Sequence, residues 1–171
     1  MRLNMFGPKI LGVCAAVLLL AACETTPEGN QAMTGTGTAT PSTSASAQPA
    51  GPTPGSEADL QLNVGDRVFF DFNKYDLKPT AHATAERQAA WLKKYPNVSI
   101  TIEGNCDERG TREYNLALGE RRANSAKTAL VSMGVDANRI KTISYGKERP
   151  VALGSNEAAW SQNRNAIAVV N

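Results

Sequence analysis

Histidine is all but missing from this 171-residue chain: His82 is the single one, beside three cysteines, Cys14, Cys23 and Cys106. So few ligands leave little room for a zinc cluster or a disulfide framework, and no cofactor or metal is expected. Net charge is scarce too. Eighteen basic residues against 16 acidic give +2, without the concentrated basic stripe that nucleic-acid binding needs. No apolar run approaches the roughly 20 residues of a membrane-spanning helix. Aromatics are few and unevenly placed: Phe6 stands alone, the other nine lie between Phe69 and Trp160, and Gly7 to Val68 has none. The core must therefore come from about the last 110 residues, as one domain with appendages.

What is present begins with an address. Arg2 and Lys9 make a weakly basic start, Ile10 to Leu20 is apolar, and Leu20-Ala21-Ala22-Cys23 sets small residues directly before a cysteine. Residues 1–22 read as a signal peptide. Their end resembles the lipobox of bacterial lipoproteins, which implies that Cys23 is acylated and becomes the new N-terminus with three acyl chains. At about 0.8 kcal/mol per buried methylene, such an anchor is effectively permanent. An ordinary secretory signal with an incidental cysteine is the competing reading. In lipoproteins of this kind an aspartate after the cysteine tends to retain the protein in the inner membrane. Glu24 stands there instead, so the outer membrane is expected, with the domain facing the periplasm. Cleavage removes Arg2 and Lys9 and leaves 16 basic against 16 acidic residues. The mature chain is neutral.

From Glu24 to Ser56, 27 of 33 residues are Thr, Ser, Ala, Gly or Pro. A segment so poor in apolar side chains cannot offset its ordering entropy, so it reads as a disordered tether. Residues 23–59 are assigned to anchor and tether, and 60–171 to the folded domain. The extended tether reaches roughly 110 Å at about 3.3 Å per residue.

The folded part is expected to begin near Leu60. Val68-Phe69-Phe70-Asp71-Phe72 reads as a strand. Pro79 opens a helix to Tyr95, where its missing N–H costs nothing. Val98 to Glu103 alternates with period two, a second strand. Leu116, Gly119, Ala123, Ala126, Leu130 and Met133 step by three and four along a helix from about Thr111 to Met133, which Gly134 caps. Ile140 to Tyr145 reads as a strand, Glu157 to Gln162 as a short helix, Ala166 to Val170 as a closing strand. The order β-α-β-α-β-α-β predicts an α/β sandwich, one mixed four-stranded sheet packed against helices.

The stretch Glu103-Gly-Asn-Cys-Asp-Glu-Arg-Gly-Thr-Arg-Glu-Tyr-Asn-Leu-Ala-Leu-Gly-Glu-Arg-Arg-Ala-Asn124 carries the most specific signal. It resembles the peptidoglycan-binding domain of the OmpA-like family, whose helix carries Asn, then Leu, then Arg-Ala, here Asn115, Leu118, Arg122 and Ala123. The likeness extends through Phe70 to Asp76, Ser144 to Pro150 and Glu157 to Arg164, so it spans about residues 65–171. The family's ligand is the diaminopimelate residue of the peptidoglycan stem peptide, whose side chain ends in an ammonium and a carboxylate. The resemblance implies that Asp107 accepts from the ammonium, while Arg122 forks onto the carboxylate. Asn115 and Arg122, seven apart, share a helix face about 10 Å apart along the axis. By the same resemblance, the backbone at Phe72, Asn73 and Lys74 and an apolar contact from Leu118 complete the pocket. The implied partners are peptidoglycan and the periplasmic β-propeller protein of the Tol system, with roles in envelope integrity and constriction during cell division. Two departures stand out. Cys106 occupies a place where other small residues are usual, and Asn165 one where a second arginine often follows Arg164; the expectation for Asn165 is a weakened peripheral contact.

Plainer readings stand beside these. Asp107 can be a turn residue or an N-cap. Arg122 can be a structural arginine paired with Glu108, Glu113 or Glu120, and Asn115 a polar group on the helix surface. Asp107 and Arg122 both lie outside the apolar stripe, which implies that removing them leaves the fold intact. His82, among alanines, reads as surface or half-buried. The enzymatic alternative is a peptidoglycan hydrolase or transpeptidase. A metal-dependent amidase needs several histidine and carboxylate ligands, Cys106 lacks a second histidine to serve it, and adjacent Asp107 and Glu108 are poorly placed for glycoside hydrolysis. The chain is therefore expected not to be an enzyme.

Overall fold

The computed structural model describes residues 51–171. The signal peptide, the lipobox at Cys23 and the tether up to residue 50 lie outside the described residues.

Four strands form one mixed sheet: β1 (Arg67–Phe69), β2 (Ile100–Asn105), β3 (Ile140–Gly146) and β4 (Asn165–Val170), in the order β1-β4-β2-β3. β2 and β3 are parallel, whereas β4 runs antiparallel to both β1 and β2. Parallel neighbours need a long crossover. It is supplied by the 21-residue helix α3 (Arg112–Ser132), which packs on β2 and β3. Three more helices complete the domain: α1 (Glu57–Asp59), which runs into a π-helical turn at Leu60–Val64, α2 (Pro79–Lys94) and α4 (Glu157–Asn163).

The alternation at 98–103 has the expected outcome: Ile100 and Ile102 are buried, and Thr101 and Glu103 only partly so. They meet Leu92 of α2, Leu130 of α3, Ile140 of β3 and Ala166 and Ala168 of β4 in one core. Thr111 caps α3 by accepting from the Tyr114 N–H. At the other end Gly134 takes φ +91°. Its N–H reaches the Val131 carbonyl and that of Val135 the Leu130 carbonyl, a Schellman ending.

α3 approaches β2 as closely as backbones allow. A Cβ built on Gly104 would overlap the Gly119 carbonyl oxygen, and one on Gly119 would overlap Ser144 Oγ and lie 2.7 Å from the Gly104 oxygen. This glycine contact sets the height of α3 above the sheet. It thereby fixes Arg122, one turn further along the helix, against the end of β2.

Three expectations are corrected. The domain starts before Leu60. Ser56 caps α1, Asp59 accepts from the Gly55 N–H, Asn63 and Trp91 Nε1, and Glu57 accepts from the Val170 N–H. β1 is shorter than the aromatic run. The ladder ends at Phe69, and the chain turns at Asn73, whose φ of +56° is left-handed. Finally, α3 buries more than its apolar stripe. Asn115, Leu118 and Arg122 are buried along with Gly119, Ala123, Ala126 and Leu130, while Leu116 and Met133 are only half-buried.

Candidate functional site

Where the C-terminal end of β2 meets the start of α3, a cavity of about 240 Å³ is lined by Phe72, Asn73, Cys106, Asp107, Arg109, Gly110, Tyr114, Asn115, Leu118 and Arg122. Six of the seven expected ligand residues are brought together there. Lys74 is the exception: its side chain is exposed, and only its carbonyl oxygen takes part, by accepting from Arg122 Nε at 2.8 Å.

Arg122 has 0% exposure. Besides the Lys74 bond, Nη1 donates to the Asn105 carbonyl at 2.8 Å and Nη2 to that of Asp71 at 3.1 Å. No carboxylate of the described residues lies within 4.0 Å of it, so neither Glu108, Glu113 nor Glu120 is its partner. Burial pulls its pKa down from the ordinary arginine value, partly opposed by Cys106 and Asp107. A guanidinium has five N–H groups. Three are used here, so each terminal nitrogen keeps one further N–H. Arg122 is thus a buried cation hydrogen-bonded to three backbone carbonyls, with the Phe70 ring 5.3 Å from its guanidinium and no carboxylate among the described residues within 4.0 Å. The idea that its removal would leave the fold intact is corrected: it ties the 71–74 loop to β2.

Asp107 is nearly as hidden, at 4%. Its Oδ1 accepts from the backbone N–H and Nε of Arg109, both at 3.2 Å. Its Oδ2 accepts from Arg109 Nη2 at 2.6 Å and Arg164 Nη1 at 3.4 Å. Burial pushes this carboxyl up, but the hydrogen bonds and charge of Arg109, with a further hydrogen bond from Arg164, outweigh it and hold the pKa below the usual carboxylate range. The turn role is therefore real, since Asp107 closes the loop onto Arg109, but the N-cap of α3 is Thr111.

Asn115 is not a surface group. It is buried, and its Nδ2 donates to the carbonyls of Arg109 and Thr111, fixing the loop over the helix start. Tyr114 Oη donates to Asn73 Oδ1 and so links the two rims of the cavity. Cys106 donates its thiol to the Asn115 carbonyl, and burial pushes its pKa up to about 11.

Several residues at the site were not picked out by sequence, Tyr114 among them. Arg109 lies between two aromatic rings, 4.0 Å from the centroid of Phe72 and 4.1 Å from that of Trp160. Trp160 is itself held by Nε1 donating to Glu108. Arg164 is buried between Asp107, Glu157 and the Phe70 carbonyl. The available signal was the two-residue step from Asp107 to Arg109, which suits an aspartate closing a turn. Asn165 is corrected as well. With 0% exposure, it is a core residue: it accepts from Asn105 and donates to the Gln162 carbonyl. His82 is exposed. No three His, Cys, Asp or Glu side chains among the described residues are grouped to hold a metal ion.

A profile of the OmpA family matches residues 69–164. A peptidoglycan-associated lipoprotein of Rhizobium meliloti is 59% identical over 118 residues, covering 69% of this chain and 67% of that protein. One from Haemophilus influenzae is 41% identical over 165 residues, covering 96% and 98%. The crystal structure of the peptidoglycan-associated lipoprotein from Burkholderia pseudomallei superposes with a TM-score of 0.60 at 46% identity, over 62% of this chain and 90% of that one.

Proposed function

The chain belongs to the OmpA family, and on that premise we propose that it is an outer-membrane lipoprotein whose domain binds the diaminopimelate stem peptide of peptidoglycan without catalysing any reaction on it. The observation that carries this reading is the pairing in one cavity of a buried arginine that has no carboxylate partner with an aspartate held ionised. Arg122 offers two spare N–H groups to the ligand's side-chain carboxylate, and Asp107 receives the ammonium. Leu118 contacts the methylenes between them. Residues that recognise both ends of one zwitterion give selectivity that a single charge cannot.

The anchor rests on Cys23. The Haemophilus relative, itself a lipoprotein by name, matches 96% of this chain, so the matched region includes the lipobox. Residues 1–22 are removed, the Thr/Ser/Pro/Gly/Ala-rich segment serves as the tether, and the domain links membrane to wall during envelope constriction. The same face meets the periplasmic β-propeller of the Tol system, so that wall binding and partner binding exclude each other. Thiol-based transpeptidation is disfavoured by the chemistry of the cysteine in the cavity wall. A Cys106 thiol with a pKa near 11, hydrogen-bonded to a carbonyl, is almost wholly protonated at neutral pH. The test is a pull-down on isolated sacculi with and without free diaminopimelate. Retention that the amino acid competes away supports the reading; retention indifferent to it overturns the site.

A further inference from the structure

The lone pairs of Asp107 are all in use. A carboxylate offers about four acceptor positions, and here the Arg109 backbone N–H, Arg109 Nε, Arg109 Nη2 and Arg164 Nη1 fill them. An arriving ammonium can bond to Asp107 only if a donor leaves. The backbone N–H is fixed in the turn, and the Arg164 side chain is 6% exposed and also tied to Phe70 and Glu157. The Arg109 side chain, 32% exposed and held by stacking rather than enclosure, is the one that can go. Asp107 and Arg122 are also both closed off from solvent. Something on the rim must therefore move before either touches a ligand.

Resting on the stem-peptide reading above, we infer that Arg109 determines which ligands this site accepts: its guanidinium occupies the ammonium's place on Asp107, and a ligand binds by exchanging its own cation for it. The exchange leaves the charge at Asp107 unchanged, so a zwitterion displaces Arg109 at little electrostatic cost. A side chain with a neutral end has nothing to give Asp107 and must break the Arg109 pair uncompensated. Displaced from between Phe72 and Trp160, the guanidinium swings outward toward Glu157, whose carboxylate is already 4.0 Å away.

The experiment compares the purified wild-type protein with Arg109→Gln, Trp160→Leu and Asp107→Ala. The probes are the diaminopimelate tripeptide (L-alanyl-γ-D-glutamyl-diaminopimelate) and the same peptide acetylated on its side-chain amine. Arg109→Gln should bind the tripeptide about three- to tenfold more tightly, the range expected for removing a partly exposed competing ion pair. Binding of the acetylated peptide should strengthen in the same variant. Trp160→Leu removes one face of the stack without touching Asp107 and should shift affinity in the same direction. In the wild type, ligand should also change the emission of Trp160, while Trp91, hydrogen-bonded to Asp59 in the core, stays constant. In Arg109→Gln that change should vanish. Equal or weaker binding by a folded Arg109→Gln, with Asp107→Ala still losing the tripeptide, overturns the exchange and leaves the stem-peptide reading standing. Wild-type affinity in Asp107→Ala overturns both.

Discussion

Truncating Arg122 to alanine removes a guanidinium that three backbone carbonyls share, those of Asp71, Lys74 and Asn105. Hydrogen bonds to a charged group contribute about 1.5–3 kcal/mol each. They are not additive here, because the 71–74 loop can relax and admit water once the side chain is gone. A net loss of about 4 kcal/mol is expected, below the sum of three such bonds. For a domain of this size 1 kcal/mol moves the melting temperature by a few degrees, so Arg122→Ala should melt about 15 °C lower. Arg122→Lys should fall between, since an ammonium is a point donor that cannot span carbonyls arranged around a planar fork. Thermal and urea melts followed by circular dichroism read this directly. A melting temperature within about 2 °C of wild type for Arg122→Ala would refute the claim that this residue holds the loop to the sheet. Ligand binding must be measured well below the variant's transition, so that lost affinity is not lost fold.

Gly104→Ala places a methyl on the Gly119 carbonyl oxygen and should cost about 3 kcal/mol or more; a urea midpoint equal to wild type would show that α3 can lift freely from β2. Asp107 has its pKa lowered in the folded state, so its share of stability is complete above the unfolded value and is lost as pH falls. The difference in urea midpoint between wild type and Asp107→Asn should accordingly shrink below about pH 4, whereas a difference that stays constant down to pH 2 would contradict the ion-pair assignment. Cys23→Ser should release the protein from membranes in detergent-free fractionation. Continued pelleting with outer membrane would count against the lipobox.

Much of the sheet was legible because its signals are local. The alternation at Val98 to Glu103, Pro79 at the start of α2 and Gly134 after α3 each act within one turn or one strand. The beginning of the domain was not, because its Ser/Pro/Gly-rich run resembles the tether before it. What orders it is distant: Trp91 Nε1 bonded to Asp59, and the Val170 N–H bonded to Glu57. The site divides in the same way. Asp107, Asn115, Leu118 and Arg122 were legible only through their likeness to a family motif carried by one loop and one helix, and they do converge. Arg109 escaped notice because its place depends on Phe72 and Trp160, from two other parts of the chain. The full burial of Arg122 was likewise hidden, since polar residues beside an apolar stripe normally face water. Here the carbonyls that receive it come from a loop after β1 and from the end of β2.

Arg122 is proposed to read the side-chain carboxylate of a zwitterion whose ammonium goes to Asp107, and lysine offers the matching control. A stem tripeptide ending in lysine keeps the amine but lacks that carboxylate. Isothermal titration of the purified protein with the diaminopimelate and lysine tripeptides isolates the one group. Loss of a hydrogen-bonded buried charge partner costs about 2–5 kcal/mol, so the lysine peptide should bind at least about 30-fold more weakly. Equal affinity for the two peptides, in a protein whose Arg122 is intact, would contradict that role.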